Sequence, residues 1–237
     1  MAELRVWGSF ATLRMTVEIY VLQVERIMTW IKICGTTSLE DALVAVEAGA
    51  DALGFVFYEK SPRCVTAEVA RGIVRELPAG IETVGVFVNE SGERMEEIAE
   101  MVGLSAVQLH GEEYRGAWPV SKRKVYLAIP ARVVAGDGWI VKFPKTPNAI
   151  LVDSSTAQQR GGTGKAFDWA EARDGIAALG REFPVVVAGG LTPENVAEML
   201  AVLKPWGVDV VSGVERESGR KDAGKVRAFV AAVRGAG

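Results

Sequence analysis

The sequence predicts a single (β/α)8 barrel preceded by a short N-terminal extension. Three observations carry that prediction. From Trp30 onward eight short apolar runs recur, segments of helical periodicity separate several of them, and glycine-rich loops follow the last three. Strands covered on both faces by helices read as nearly continuous β-branched runs rather than as alternating ones. The runs are IKIC (31–34), ALGFVF (52–57), TVGVFV (83–88), AVQLH (106–110), VYLAI (125–129), AILVD (149–153), VVVA (185–188) and DVVS (209–212). An open doubly wound sheet would also alternate, but a count of eight favours closure.

The elements follow in order. Residues 1–27 form the extension, in which charges interrupt every apolar stretch, so it lacks the apolar core and small-residue cleavage site of a signal peptide. An added strand or helix, or sequence upstream of a true start at Met28, both fit it, and it is given no part in catalysis. The barrel domain spans 28–237. SLEDALVAVEAG (38–49) opens with Ser38 and Asp41 at capping-box spacing and closes on a glycine. SGERMEEIAEMVG (91–103) reads the same way, and TPENVAEML (192–200) offers Thr192 as the cap with Pro193 in the first helical turn. Only residues 130–148, rich in Pro and Gly, restrict the helix to a short or broken one.

Bulk properties exclude several classes of function. A net charge of −3 and a pI near 5.5, with no basic stripe, argue against a nucleic-acid binder. No apolar run reaches the roughly 18 residues of a membrane-spanning helix. Two cysteines, Cys34 and Cys64, are too few for a disulfide framework and suit a reducing, cytoplasmic setting.

In a barrel the chemistry sits where the strands end at their C-terminal side. Side chains alternate along a strand, so Ile31 and Ile33 suit the helix layer while Lys32 and Cys34 point inward. The same alternation turns Asp153 inward at the end of the sixth run, and places Gln108 and His110 together on the inner face of the fourth. A thiol, a carboxylate and an imidazole therefore converge on one mouth. Each has a plainer reading: Cys34 as a small buried hydrophobe, Asp153 as a loop or cap residue, and His110 as a structural hydrogen-bonding group. As the only histidine, His110 rules out a metal site built from several histidines. Cys64, after SPR in a loop, is taken as incidental. The loops RGGTGKAFDW (160–169), AGGLTPEN (188–195) and SGVERESG (212–219) bring glycines to the ends of strands six, seven and eight, where backbone N–H groups and helix N-termini can hold a phosphate. GGTGK lacks the spacing of a nucleotide P-loop.

Taken together, KICG, DALGFVFYEKSPRCV, VGVFVN, VQLHG, LVDS, GGTGKAFDW, AGGLTPENV and DVVSGVE resemble the phosphoribosylanthranilate isomerase family of tryptophan biosynthesis. The resemblance runs from residue 30 to about 233, with the motifs in the family's order. It implies a cofactor-free, metal-free Amadori rearrangement of N-(5-phosphoribosyl)anthranilate, with Cys34 as the base and Asp153 as the acid. It further implies that Arg63 holds the anthranilate carboxylate and that Gly189, Gly190, Ser212 and Gly213 grip the phosphate. Gly162, Thr163 and Gly164 would form a sixth loop that closes over substrate, and Asp209 and Glu215 match family positions. Val211 stands where the family often has a serine.

A cysteine base must become thiolate, which a nearby cation favours; Lys32 is expected to supply part of that field, and the acid to need the opposite shift through burial. The expected partner is a small phosphorylated molecule, with neither nucleic acid nor membrane, and the expected assembly a monomer or homodimer. The related histidine-pathway isomerases pair two aspartates, whereas the first-strand position here is Cys34. A non-catalytic phosphate binder on the same fold would not need Cys34, Asp153 and Arg63 together.

Overall fold

A computed structural model describes residues 28–111, 123–135, 146–154 and 166–236. Eight parallel strands close into a barrel in sequence order: β1 (Trp30–Cys34), β2 (Ala52–Val56), β3 (Glu82–Phe87), β4 (Ala106–Leu109), β5 (Lys124–Pro130), β6 (Ala149–Asp153), β7 (Val185–Ala188) and β8 (Gly207–Val210). The barrel is sealed where β1 lies beside β8, with Lys32 opposite Asp209. Helices α1 (Leu39–Ala48), α2 (Ala67–Arg75), α3 (Gly92–Val102), α4 (Ala131–Ala135), α5 (Trp169–Leu179), α6 (Val196–Leu203) and α7 (Ala223–Ala236) pack outside. The extension at 1–27 lies outside the described residues.

Local sequence accounts for most boundaries. Ser38 and Ser91 each accept a hydrogen bond from a backbone N–H in the first turn, of α1 and α3, and both helices end on a left-handed glycine, Gly49 and Gly103. These are the starts and stops the sequence predicts. Two boundaries differ. Helix α6 begins at Val196 with Asn195 as its cap, not Thr192. Thr192 is engaged by its own turn, accepting from the Glu194 N–H on Oγ1, while its N–H donates to Asn195 Oδ1. Strand β8 runs from Gly207 to Val210, two residues earlier than the DVVS run, because Ser212–Val214 coils into a 3-10 turn. The 130–148 region holds a five-residue helix, α4, directly after β5; residues 136–145 lie outside the described set.

The core has two layers. Ile31, Ile33, Leu53, Phe55, Leu127 and Ile150 pack outward against the helices. The barrel interior is filled by a smaller set that includes Ala52, Val84, Tyr126, Leu151 and Val186. Trp30 closes the N-terminal floor, stacked on Trp206 with centroids 5.1 Å apart and edge-on to Tyr126. Arg234 of α7 clamps the same end, donating to the Thr29 carbonyl and to Asp51. Side chains fill the floor at the N-terminal end, while the C-terminal mouth holds a cavity. After β8 a small hairpin, β9 (Glu215–Glu217) and β10 (Arg220–Lys221), folds back over that mouth.

Candidate active site

A cavity of about 470 Å³ opens at the C-terminal ends of the strands. Cys34, Arg63, Asp153, Gly189, Gly190, Ser212 and Gly213 all line it, so seven residues scattered over the sequence meet in one place. Gly162, Thr163 and Gly164 lie outside the described residues.

Strand alternation sets the Cys34 side. Ile31 and Ile33 enter the outer core, which turns Lys32 and Cys34 inward, both buried. Lys32 Nζ lies 2.9 Å from Asp209 Oδ2 and donates to Gln108 Oε1 at 2.6 Å. Burial opposes its charge, but the attractions of Asp209 and Cys34 outweigh it, and Lys32 is held above the usual lysine value. The thiol is opposed by the same burial. Burial pushes Cys34 up, Lys32 and Lys221 pull it down, and Asp209 pushes it up again, leaving it above the ordinary cysteine value. The sequence led to the expectation of a thiol biased toward thiolate by Lys32. Lys32 does act in that direction, but its charge is shared with Asp209 and does not overcome desolvation.

Two further residues beside Cys34 were not singled out from the sequence. Gly54 of β2 sits directly beside the thiol: a Cβ there would stand 2.5 Å from Cys34 Sγ and 2.9 Å from Lys32 Cε. A glycine in mid-strand is the signal of such close approach. Lys221 of the hairpin donates to the Cys34 carbonyl at 2.6 Å and lies 3.3 Å from Glu215 Oε1. Nothing periodic or compositional in SGRKDAG marks it.

Glu215 accepts from Arg63 in a two-pronged pair, from Nε at 2.8 Å and Nη2 at 2.7 Å. That contact braces the hairpin against the loop after β2. The third nitrogen, Arg63 Nη1, makes no hydrogen bond among the described residues, and the guanidinium lines the cavity. Burial would raise Glu215, but Arg63 and Lys221 more than compensate and hold it below the usual carboxylate range.

The Asp153 side is built differently. Asp153 ends β6, 6% exposed, with its Oδ2 at 3.5 Å from His110 Nε2 and its Oδ1 at 3.5 Å from Ser154 Oγ. His110 Nδ1 lies 3.2 Å from Gln108 Nε2. Behind Asp153, Gly189 and Gly190 have positive φ, +86° and +69°, conformations that L side chains rarely adopt. A Cβ on Gly213 would stand 1.9 Å from the Leu191 carbonyl oxygen. The loops after β7 and β8 are thus pressed together backbone to backbone. Asn195 secures them by donating from Nδ2 to the Gly190 carbonyl. Val211 precedes the 3-10 turn and gives it no side-chain hydrogen bond. Among the described residues no group of three or more His, Cys, Asp or Glu is placed to hold a metal ion. Nor is any described helix long and apolar enough to cross a membrane.

A (β/α)8 barrel with a thiol and a carboxylate across its mouth, beside two glycine loops from its last strands, defines the class of barrel enzymes acting on phosphorylated small molecules. Comparison with known proteins narrows the class. Residues 31–232 match the sequence model of a family described as N-(5'phosphoribosyl)anthranilate (PRA) isomerase. The N-(5'-phosphoribosyl)anthranilate isomerase of Geobacter sp. (strain M21) is 49% identical over 205 residues, covering 86% of this chain and 97% of that protein. The crystal structure of phosphoribosyl anthranilate isomerase from Thermus thermophilus superposes with a TM-score of 0.74 at 37% identity, over 86% of this chain and 98% of that one. A further solved structure is of the isomerase in complex with reduced 1-(o-carboxyphenylamino)-1-deoxyribulose 5-phosphate. It has a TM-score of 0.70 and 38% identity, and covers 88% of this chain and 100% of that one. The chain belongs to the phosphoribosylanthranilate isomerase family, and the isomerase activity in tryptophan biosynthesis expected from the sequence stands.

Proposed function

We propose that Cys34 and Asp153 divide the acid–base work of an Amadori rearrangement of N-(5-phosphoribosyl)anthranilate. The observation that carries the assignment is that the two residues, from β1 and β6, line one cavity together with the glycine loops after β7 and β8. The Asp153 carboxyl gives its proton to the ribose ring oxygen as the C1–O bond breaks, and the anilino nitrogen shares its lone pair to form an iminium at C1. That cation acidifies the C2–H bond, so a thiol held above its usual value still serves as base when its thiolate forms beside Lys32 and Lys221. Cys34 removes the C2 proton and the electron pair flows into a C1=C2 enolamine. Transfer of the C2 hydroxyl proton to the Asp153 carboxylate, with protonation of C1 by the Cys34 thiol, yields the ketone and restores both groups. No cofactor or metal enters the balance.

The remaining roles are those the family resemblance implies, and the cavity lining supports those of Arg63 and of the loops after β7 and β8. Arg63 Nη1 meets the anthranilate carboxylate, a charge-assisted contact of the strong kind. Backbone N–H groups around Gly189, Gly190, Ser212 and Gly213 take the phosphate, and Gly162, Thr163 and Gly164 supply the loop that closes over it. The reading extends to a cytoplasmic monomer or homodimer. The two cysteines, both unpaired, are compatible with that compartment.

The test is to follow loss of phosphoribosylanthranilate with purified protein beside Cys34→Ala and Asp153→Asn. A general acid or base contributes about 10²–10⁴-fold, so each variant is expected to lose at least about 10²-fold in kcat while keeping its fold. Turnover that survives either substitution moves that role to another residue.

A further inference from the structure

His110 and Gln108 line the same cavity but have no part in the proton transfers above. Their hydrogen bonds have only one consistent direction. The Lys32 ammonium has only protons to give, and it is buried and anchored by Asp209. The Gln108 side-chain atom 2.6 Å from Lys32 Nζ must therefore be the carbonyl oxygen. That leaves the Gln108 NH₂ facing His110 Nδ1 at 3.2 Å. An NH₂ is a donor only, so Nδ1 must accept, and the single proton of a neutral imidazole belongs on Nε2. An imidazolium would set its Nδ1 proton against the amide hydrogens. Nε2 is buried, forms no aligned hydrogen bond with the described residues, and stands 3.5 Å from Asp153 Oδ2.

We infer that His110 is the positioning residue for Asp153, held as its Nε2–H tautomer by a Gln108 amide that Lys32 orients. The inference rests on the reading of Asp153 as the acid. The Nε2–H aims a donor at the carboxyl oxygen that becomes negative when the proton leaves for the ribose ring. Closing the 3.5 Å gap then forms a charge-assisted hydrogen bond as that charge develops. The chain Asp209–Lys32–Gln108–His110–Asp153 thus ties the acid to the ion pair beside the base across the barrel interior.

Because His110 is the only histidine in the sequence, the ¹⁵N imidazole spectrum of the full chain reports it without assignment. The expected result is a protonated Nε2 and an unprotonated Nδ1 at neutral pH. Gln108→Glu, which replaces the donor by an acceptor, is expected to invert that pattern and to lower kcat by about tenfold, the worth of one hydrogen bond to a charged group, with KM little changed. His110→Gln, whose amide N–H reaches the Nε2 position, is expected to retain activity better than His110→Ala. A protonated Nδ1 in the parent overturns the inference, as does equal activity of His110→Gln and His110→Ala when both are folded. Asp153→Asn run alongside separates the two readings. Full turnover there removes the acid, and this role of His110 with it, even if the tautomer is as expected. An inactive Asp153→Asn beside a parent with protonated Nδ1 overturns the inference alone.

Discussion

On the β1/β8 side of the mouth five charged residues are joined in three ion pairs: Lys32–Asp209, Arg63–Glu215 and Lys221–Glu215. On the β4/β6 side an amide, an imidazole and one carboxylate are linked by contacts of 3.2 and 3.5 Å. The acid–base division proposed for Cys34 and Asp153 accounts for the difference. The base acquires a negative charge before it acts, so cations must stand beside it, and each buried cation in turn needs an anion to offset its desolvation. In the proposed step the Asp153 carboxyl gains charge only as it gives up its proton, so a neutral donor aimed at it suffices. One consequence is that the thiol's field is the residue of opposing charges, whereas the acid's surroundings are set by hydrogen-bond direction. Substitutions that alter charge should therefore act mainly on the first side.

Lys32→Met is expected to have the largest effect, since it leaves Asp209 buried without its cation and costs about 3–5 kcal/mol in stability. It also removes a charge that pulls Cys34 down, so in the protein that still folds the rising limb of the pH–rate profile, where the thiol deprotonates, moves to higher pH. Asp209→Asn removes a charge that pushes Cys34 up and moves the same limb to lower pH. The pair of profiles is the check. Limbs that stay where the parent's lies in both variants would show that the base side is not governed by these charges, and the contrast between the two sides would collapse.

Gly54→Ala tests packing on the base side without touching charge. The added Cβ would stand 2.5 Å from Cys34 Sγ, and the nearby Lys32 Cε is held in place by its ammonium contacts, so the thiol is the group that must move. A misplacement on the scale of 1 Å costs about 10²-fold in rate, and overpacking costs about 1–3 kcal/mol in stability. Kinetics and denaturant unfolding of the one variant measure both. Unchanged kcat would mean that the thiol's position is not limiting.

The two sides were not equally legible from sequence. Cys34, Asp153 and the glycine loops could be found because each ends a strand, and strand ends in a barrel converge whatever the intervening sequence. The eight strands were legible for a related reason: burial on both faces makes each run nearly continuous. What failed was whatever depends on a distant partner. The upward shift of Cys34 comes first from burial; Asp209, opposite Lys32 across the barrel seam, adds to it, and Lys221, from a hairpin whose sequence carries no motif, opposes it. Arg63 was expected to hold a substrate carboxylate, and its pairing with Glu215 was not foreseen. The boundaries of α6 and β8 were misjudged where side chains and turns compete locally. Thr192 serves its own turn instead of capping the helix, and Ser212 enters the 3-10 turn instead of extending the strand.

The smallest effect expected is an acid-pH one, and it bears on the brace of the base side. Glu215 is held below the usual carboxylate range because Arg63 and Lys221 together outweigh its burial. A carboxylate that binds its proton less readily when folded than when unfolded contributes stability fully above its unfolded value, about 4.3 for glutamate. That contribution is lost as pH falls through the lower, folded value. Denaturant unfolding of the parent and of Glu215→Gln, followed from pH 6 downward, should show the parent more stable at the upper end, with the gap closing below about pH 4.3. A gap that stays constant with pH would mean that the hairpin is held by packing and by the Lys221 contacts to the Cys34 and Val211 carbonyls. In that case the Glu215 carboxylate would not be the brace, and the base side would depend on direct hydrogen bonds to the backbone as the acid side depends on Gln108 and His110.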